Sequence, residues 1–110
     1  TGLTRFPLEG YKERCDTRTA IGSRYAEEPL ILDTPIYITG MSYGALSAEA
    51  KVALGKAATL VGTARCTGDG GMLQAERDVS EKLIYQVLPS RYGYDPNHLV
   101  QAQAAEIVVG

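Results

Sequence analysis

Two glycine-rich segments carry the residues best suited to binding a ligand. Residues 40–47 read GMSYGALS and residues 67–72 read TGDGGM. Glycines let a backbone approach a planar or phosphorylated ligand closely, and the hydroxyls of Ser42, Ser47 and Thr67 can donate hydrogen bonds to its oxygens. The spacing alone fits tight strand-to-helix turns equally well. Both interpretations stay open at this point.

Charged residues beside the second segment extend the range of chemistry. Asp69, between two glycines, can act on an amine, position a water or cap a turn. Arg65 can hold a substrate carboxylate by a forked pair of hydrogen bonds, or form a surface ion pair. Strand alternation places Arg65 and Thr67 on one side, opposite Ala64 and Cys66. A joint role for Arg65 and Thr67 is therefore compatible with the pattern.

Other reactive side chains are sparse. Cys15 and Cys66 are far apart and His98 is the only histidine, so we expect no metal site in this chain and two reduced thiols. His98 is predicted to be a surface or packing residue. The remaining charged side chains are predicted to face solvent: Glu49, Lys51, Lys56, Glu76, Arg77 and Asp78.

Strands and helices alternate along the chain. Residues 35–39 are predicted to form a buried strand, followed by a helix that Ser47 caps and Gly62 ends. The apolar face of this helix comprises Ala50, Ala53, Leu54, Ala57 and Val61. Further strands are predicted at 63–66, 83–88 and 105–110, and a short helix at 96–104. This order predicts an α/β fold with right-handed βαβ units and a parallel sheet.

Composition narrows the classes of function. The 110 residues carry 11 Lys+Arg against 13 Asp+Glu, which provides no basic field for nucleic acid. No stretch approaches the roughly 18 apolar residues of a membrane span, and the first ten residues lack the order of a secretory signal. We therefore expect a cytoplasmic protein without nucleic-acid or membrane partners.

The two glycine segments, at this separation, resemble the FMN-binding domain of glutamate synthase. The sequence motifs of that family are close to MSFGALS and, after a helix and a strand, NTGEGGE. Here Tyr43 replaces Phe, Cys66 replaces Asn, Asp69 replaces the first Glu, and Met72 stands where the second Glu would be. The likeness covers roughly residues 29–110.

Within this family, four segments most resemble the flavin subunit of N-methylglutamate synthases, the methylamine–glutamate N-methyltransferases. They are LEGY at 8–11, TGDGGM at 67–72, AERD at 75–78 and VLPSRYG at 87–93. The resemblance implies formation of N-methylglutamate from glutamate and methylamine. The alternatives are glutamate synthase proper, which uses 2-oxoglutarate and ammonia, and a non-catalytic structural fragment of such a barrel.

The resemblance also implies a fold and an FMN cofactor. Residues 29–110 would be the first βα units of a (β/α)₈ TIM barrel, incomplete at less than half of the typical 250 or so residues, after an irregular lead-in at 1–28. The implied flavin contacts are Met41, Ser42, Tyr43, Thr67 and Gly68. Asp69 would be catalytic and face the substrate.

The same resemblance implies further parts of a larger assembly. The expected partners are the remainder of this barrel and amidotransferase-like and β-helix-like subunits. The family's phosphate loops and cluster cysteines come later in its sequence. An iron–sulfur cluster is therefore expected only outside these 110 residues.

Overall fold

A short antiparallel hairpin is the first described part of the fold. The computed structural model describes residues 16–109, in which β1 (Thr19–Ile21) pairs with β2 (Leu30–Leu32). Leu30 and Leu32 are buried, whereas Ile31 between them is more exposed. The hairpin therefore uses alternate side chains of β2 to cover a neighbouring layer.

Three parallel strands form the main sheet, in the order β3 (Arg65–Cys66), β4 (Leu83–Val87) and β5 (Ala104–Ile107). Ile38 extends this order on the β3 side, because its carbonyl accepts a hydrogen bond from Cys66 N at 2.9 Å within a parallel bridge. Four chain segments therefore run side by side in one direction. The fold is mixed α/β with a parallel sheet, as predicted.

Helices occupy the connections between the parallel segments. They are α1 (Ala48–Val61), α2 (Gln74–Val79) and α3 (Pro96–Leu99). Ser47 caps α1 by accepting a hydrogen bond from the N–H three residues on at 3.2 Å, and Gly62 ends it with a φ of 81°. Both ends of α1 are as the sequence predicts.

Each face of the sheet is covered by a different layer. The hairpin residues Leu30 and Leu32 pack on one face, against Ala64, Cys66, Ile84 and Ala104. A second apolar cluster comprises Met72, Leu83, Tyr85, Val87, Leu99 and Ala102. Consecutive strand residues belong to different clusters because side chains alternate across a strand. No helix within residues 16–109 has both the length and the apolar character needed to cross a membrane.

The predicted buried strand at 35–39 is wrong in its burial. This segment pairs through Ile38 alone, and Ile36 is 72% exposed. The last predicted strand likewise begins at Ala104 and leaves Ile107 75% exposed. Both segments lie at edges of the described sheet, so each has a neighbouring strand on one side only.

The buried face of α1 also differs from the prediction. It comprises Lys51, Gly55 and Ala58, whereas Ala53, Ala57 and Val61 are exposed. The reason is close packing on α2: a Cβ on Gly55 would stand 2.4 Å from Ser80 Oγ. The small residues Gly55 and Ala58 let α1 approach α2 more closely than the predicted apolar face would.

Two helix predictions need correction. The helix predicted over 96–104 ends at Leu99, because Gln103 already joins the sheet through its N–H, which donates to Leu83 O at 2.9 Å. The helix α2 was not predicted, and only its charged residues Glu76, Arg77 and Asp78 were predicted, as solvent-facing side chains. A helix this short carries too little periodicity to be identified from the sequence.

The lead-in predicted to be irregular contains β1, which forms because β2 supplies its hydrogen-bond partners. Residues 1–15 and 110 lie outside the described residues. The same holds for Cys15, for the segment at 8–11 that contributed to the resemblance, and for the end of the last predicted strand at Gly110.

Candidate functional site

The two glycine loops lie against each other. A Cβ added to Gly40 would stand 2.8 Å from Gly68 Cα, and one added to Gly68 would stand 2.7 Å from the carbonyl carbon of Met41. A Cβ on Gly70 would stand 3.2 Å from Tyr43 N. Both loops follow neighbouring parallel segments, so they meet at the carboxyl edge of the sheet, where α/β proteins bind ligands.

A third loop joins them from the end of β4. A Cβ on Gly71 would stand 2.6 Å from Gly93 O. The buried Tyr85 links this loop to the sheet, because its hydroxyl donates to Gly93 O at 3.0 Å and accepts from Asp95 N at 3.0 Å. Three successive loops are thereby packed into one surface.

The residues of the predicted flavin and substrate site fall into two groups. Tyr43 is 55% exposed and Asp69 is exposed, whereas Met41 and Ser42 are half-buried. Thr67 and Gly68 are buried. The structure therefore brings the predicted residues together in sequence-distant loops, with Tyr43 and Asp69 at the surface.

The Thr67 side chain is engaged within the protein. Its hydroxyl oxygen accepts from Gln86 N at 3.1 Å and the hydroxyl donates to Gly68 O at 3.1 Å. A ligand would therefore meet the backbone of this residue before its hydroxyl.

Arg65 lies below the loops, on the helix side of the sheet. Its guanidinium is fully buried and donates to Thr39 O at 3.0 Å, to Met41 O at 3.4 Å and to Cys66 O. The predicted side of the strand is correct, but that side faces α1 and α2. Direct contact with a substrate carboxylate would require the loops above this side chain to separate.

Lys51 and Glu76 complete a buried ionic cluster with Arg65. Lys51 Nζ lies 3.3 Å from Glu76 Oε2, and Arg65 Nη2 lies 3.6 Å from Glu76 Oε1. Lys51 Nζ also donates to Thr67 O at 2.9 Å. All three side chains have no exposed surface, so the prediction that Lys51 and Glu76 face solvent is wrong.

Burial controls the protonation of this cluster. Loss of hydration lowers the pKa of Lys51 and raises the pKa of Glu76, and the ion pair between them opposes both shifts. When Glu76, Lys51 and Arg65 are all ionised, the two cations share one carboxylate. The surrounding carbonyls of Thr39, Met41 and Thr67 supply the remaining negative partial charge.

The opposite face of the sheet carries a separate polar group near the same loops. The Tyr37 hydroxyl donates to Glu106 Oε2 at 2.8 Å, and Gln86 Nε2 donates to Glu106 Oε1 at 2.7 Å. Tyr37 and Glu106 are separated by β3 and β4, so a flat sheet would hold their strands about 14 Å apart. Their contact shows that this face is curved inward, and we call it the concave face.

Cys66 is a buried free thiol on the concave face. Loss of hydration raises the pKa of this thiol to about 11, while the nearby backbone N–H of Gly68 lowers it in part. The thiol is therefore protonated near neutral pH. Among residues 16–109, no three His, Cys, Asp or Glu side chains gather as metal ligands would.

Sequence reasoning missed Lys51 and Glu76. Lys51, Gly55 and Ala58 recur at helical spacing, and this small-residue face was the available signal for close packing around a lysine. Glu76 also accepts from Leu73 N at 3.4 Å at the start of α2. That local pattern was recognisable only if the short helix was recognised first.

Comparison with known proteins identifies the family of this chain. The conserved region in glutamate synthase matches residues 6–110, so this chain belongs to that family. No solved structure matches the chain.

Curated relatives carry glutamate synthase names. The chain is 56% identical, over 98% of its length, to 24% of a glutamate synthase large subunit-like protein of Rhizobium meliloti (strain 1021). It is 42% identical, over 74% of its length, to 16% of an archaeal glutamate synthase [NADPH] of Methanocaldococcus jannaschii. It is 38% identical, over 74% of its length, to 16% of an archaeal-type glutamate synthase [NADPH] of Thermotoga maritima. The chain thus spans a quarter or less of these relatives.

Proposed function

We propose that this chain is the first part of the FMN-binding (β/α)₈ barrel of a glutamate-synthase-like enzyme that forms N-methylglutamate from glutamate and methylamine. The observation that carries the barrel and cofactor is the contact between the glycine loops at the carboxyl edge of a curved parallel sheet. Such a sheet is the geometry from which a closed barrel is built, and its carboxyl edge is where barrels bind ligands.

The loops fit a flat heteroaromatic ligand. Gly40, Gly68 and Gly70 present backbone without side chains, so a ring system can lie against peptide groups. We assign backbone contacts to Met41 and Ser42 on one loop and to Thr67 and Gly68 on the other, and ring contact to the exposed side of Tyr43. Bound FMN would supply hydride transfer.

Asp69 is proposed to act on the substrate amine. Its exposed carboxylate at the loop surface is placed to orient an amine or move its proton. In the full-length enzyme, Asp69→Asn should lower turnover by about a hundredfold and change flavin affinity less than about threefold. Equal losses in steady-state turnover and in flavin titration would contradict this role. Asp78→Asn, an exposed carboxylate on α2, is the matched control.

One departure from the glutamate synthase motif is the basis for proposing methylamine rather than ammonia. Cys66, which departs from the glutamate synthase wording, lies on the concave face. Met72, the other departure, is a packing residue beside Leu83 and Tyr85, so it carries no argument about substrate.

The substrate proposal is tested by isotope labelling. The full-length enzyme, loaded with FMN and joined to its partner subunits, should convert glutamate and ¹⁵N-methylamine to ¹⁵N-labelled N-methylglutamate and unlabelled ammonia, detected by mass spectrometry. Glutamate synthase proper is the second candidate, favoured by the names of the archaeal relatives. Labelled glutamate from 2-oxoglutarate, ¹⁵N-ammonia and a reductant, without N-methylglutamate in the first reaction, would establish that candidate instead.

The rest of the proposed enzyme lies outside these residues. We propose that the remaining barrel units supply the phosphate site and any iron–sulfur cluster, and that amidotransferase-like and β-helix-like subunits are its partners. Exposed apolar side chains of residues 35–39 and of α1 are proposed to pack against those units. They are Ile36, Leu60 and Val61. The proposed location is the cytoplasm.

A further inference from the structure

We propose that Lys51, Glu76 and Arg65 are positioning residues that fix the direction of the backbone amides in the two candidate flavin-binding loops. This inference rests on the proposed function, since it assigns a purpose to a cluster that touches the loops from below. It concerns residues that contact no ligand themselves.

The cations hold carbonyl groups at the start of each loop. Arg65 donates to Thr39 O, directly before the first loop, at 3.0 Å and to Met41 O, within it, at 3.4 Å. Lys51 donates to Thr67 O at 2.9 Å, in the second. Lys51 therefore holds the second loop alone, whereas Arg65 holds two carbonyls beside the first loop and also donates to Cys66 O, directly before the second.

Holding a carbonyl also sets the next amide. In a planar trans peptide the C=O and the following N–H point in opposite directions. With Met41 O directed down to Arg65, the N–H of Ser42 is directed away from the helix layer. With Thr67 O directed to Lys51, the N–H of Gly68 is directed away from Lys51, towards the concave face.

Glu76 keeps both cations in place. It is the carboxylate that both Lys51 and Arg65 approach, at 3.3 and 3.6 Å, and it reaches them from α2, which starts directly after the second loop. Fixed amides of this kind favour ligand oxygens or ring nitrogens without reorganisation on binding. The cluster thus prepares the loops for acceptor atoms of a planar cofactor.

The test uses the full-length enzyme without FMN and follows hydrogen–deuterium exchange in peptides covering 39–46, 66–72 and 83–88. Lys51→Met should speed exchange in 66–72 about tenfold, with a smaller change in 39–46. Arg65→Lys keeps the charge but loses the guanidinium, whose two terminal nitrogens donate to separate carbonyls. It should therefore speed exchange mainly in 39–46. Both variants should weaken FMN binding about tenfold in absorbance titrations.

Lys56→Met, an exposed lysine of the same helix, is the matched control and should leave exchange and FMN affinity unchanged. Equal exchange in both loops and in β4 for both Lys51→Met and Arg65→Lys, or no change relative to this control, would overturn the inference, because a merely structural cluster loosens everything together. If Lys51→Met loses protection throughout, Arg65→Lys decides the question. If the wild-type enzyme binds no FMN, the proposed function fails, while the exchange pattern still decides this inference.

Discussion

At the scale of single residues, the buried ionic cluster is governed by its charge count. Lys51 and Arg65 face one carboxylate, so the cluster carries one positive charge in excess when all three groups are ionised. Removing Lys51 would leave a balanced pair of Arg65 and Glu76. Removing the charge of Glu76 would leave two cations facing each other without hydration.

Glu76→Gln should therefore destabilise the protein more than Lys51→Met. We expect a loss of about 3–5 kcal/mol in the free energy of unfolding for Glu76→Gln. For Lys51→Met we expect about 1–3 kcal/mol, mostly from the carbonyl of Thr67 that loses its donor. Urea denaturation followed by circular dichroism measures both. The reverse order would mean that the cations are hydrated in solution, and Asp78→Asn serves as an exposed control on α2.

Cys66 makes a prediction about alkaline pH. Its thiol pKa is raised from an ordinary 9.0 to about 11, so the folded state holds this proton more tightly than the unfolded state. The corresponding stability is complete below pH 9 and is lost as the pH rises to 11, by about 2–3 kcal/mol. Unfolding curves at pH 8, 9, 10 and 11 should show this loss in a Cys15→Ser background. A Cys15→Ser, Cys66→Ser protein with the same pH dependence would assign the loss to other groups.

At the scale of elements, contact between the loops depends on Gly68 for two separable reasons. Gly68 has a φ of 81°, and a Cβ there would meet Met41 and Ser42 backbone atoms at 2.7 Å. Gly44 has a φ of 115° but open space around it. Alanine substitutions at Gly44 and Gly68 therefore distinguish the cost of backbone strain from the cost of steric overlap.

Gly44→Ala should cost about 1 kcal/mol from backbone strain alone, whereas Gly68→Ala should cost about 3 kcal/mol or more because the loops must also separate. Thermal unfolding gives the stabilities. Flavin titration of the full-length enzyme should show a loss of affinity for Gly68→Ala that exceeds the loss for Gly44→Ala. Similar values for the two variants would indicate that the loops yield without cost.

At the scale of the whole molecule, curvature of the sheet joins its two edges. The Tyr37 hydroxyl reaches Glu106 across β3 and β4, and donation to Glu106 raises the pKa of Tyr37. Tyr37→Phe removes this one link and keeps the ring. It should lower the free energy of unfolding by about 1 kcal/mol. Tyr25→Phe, at a highly exposed tyrosine, is the control and should change it by less than about 0.5 kcal/mol.

The sequence alone determined features that depend on neighbouring residues. Ser47 and Gly62 mark the ends of α1, because capping oxygens and a left-handed glycine act within a few residues. The alternation of strands and helices gave the parallel sheet, and the glycine segments gave the location of the candidate site. The resemblance carried by 41–47 and 67–71 gave the family to which the chain belongs.

Tertiary structure alone decided which charged residues are inside. Lys51 and Glu76 have solvent-facing patterns locally, yet the absent side chain of Gly55 lets α1 and α2 approach until both are enclosed with Arg65. The same holds for β1, whose hydrogen-bond partners lie about ten residues away along the chain. Burial of a charge depends on partners distant in sequence, because only a partner that offsets lost hydration makes such burial tolerable.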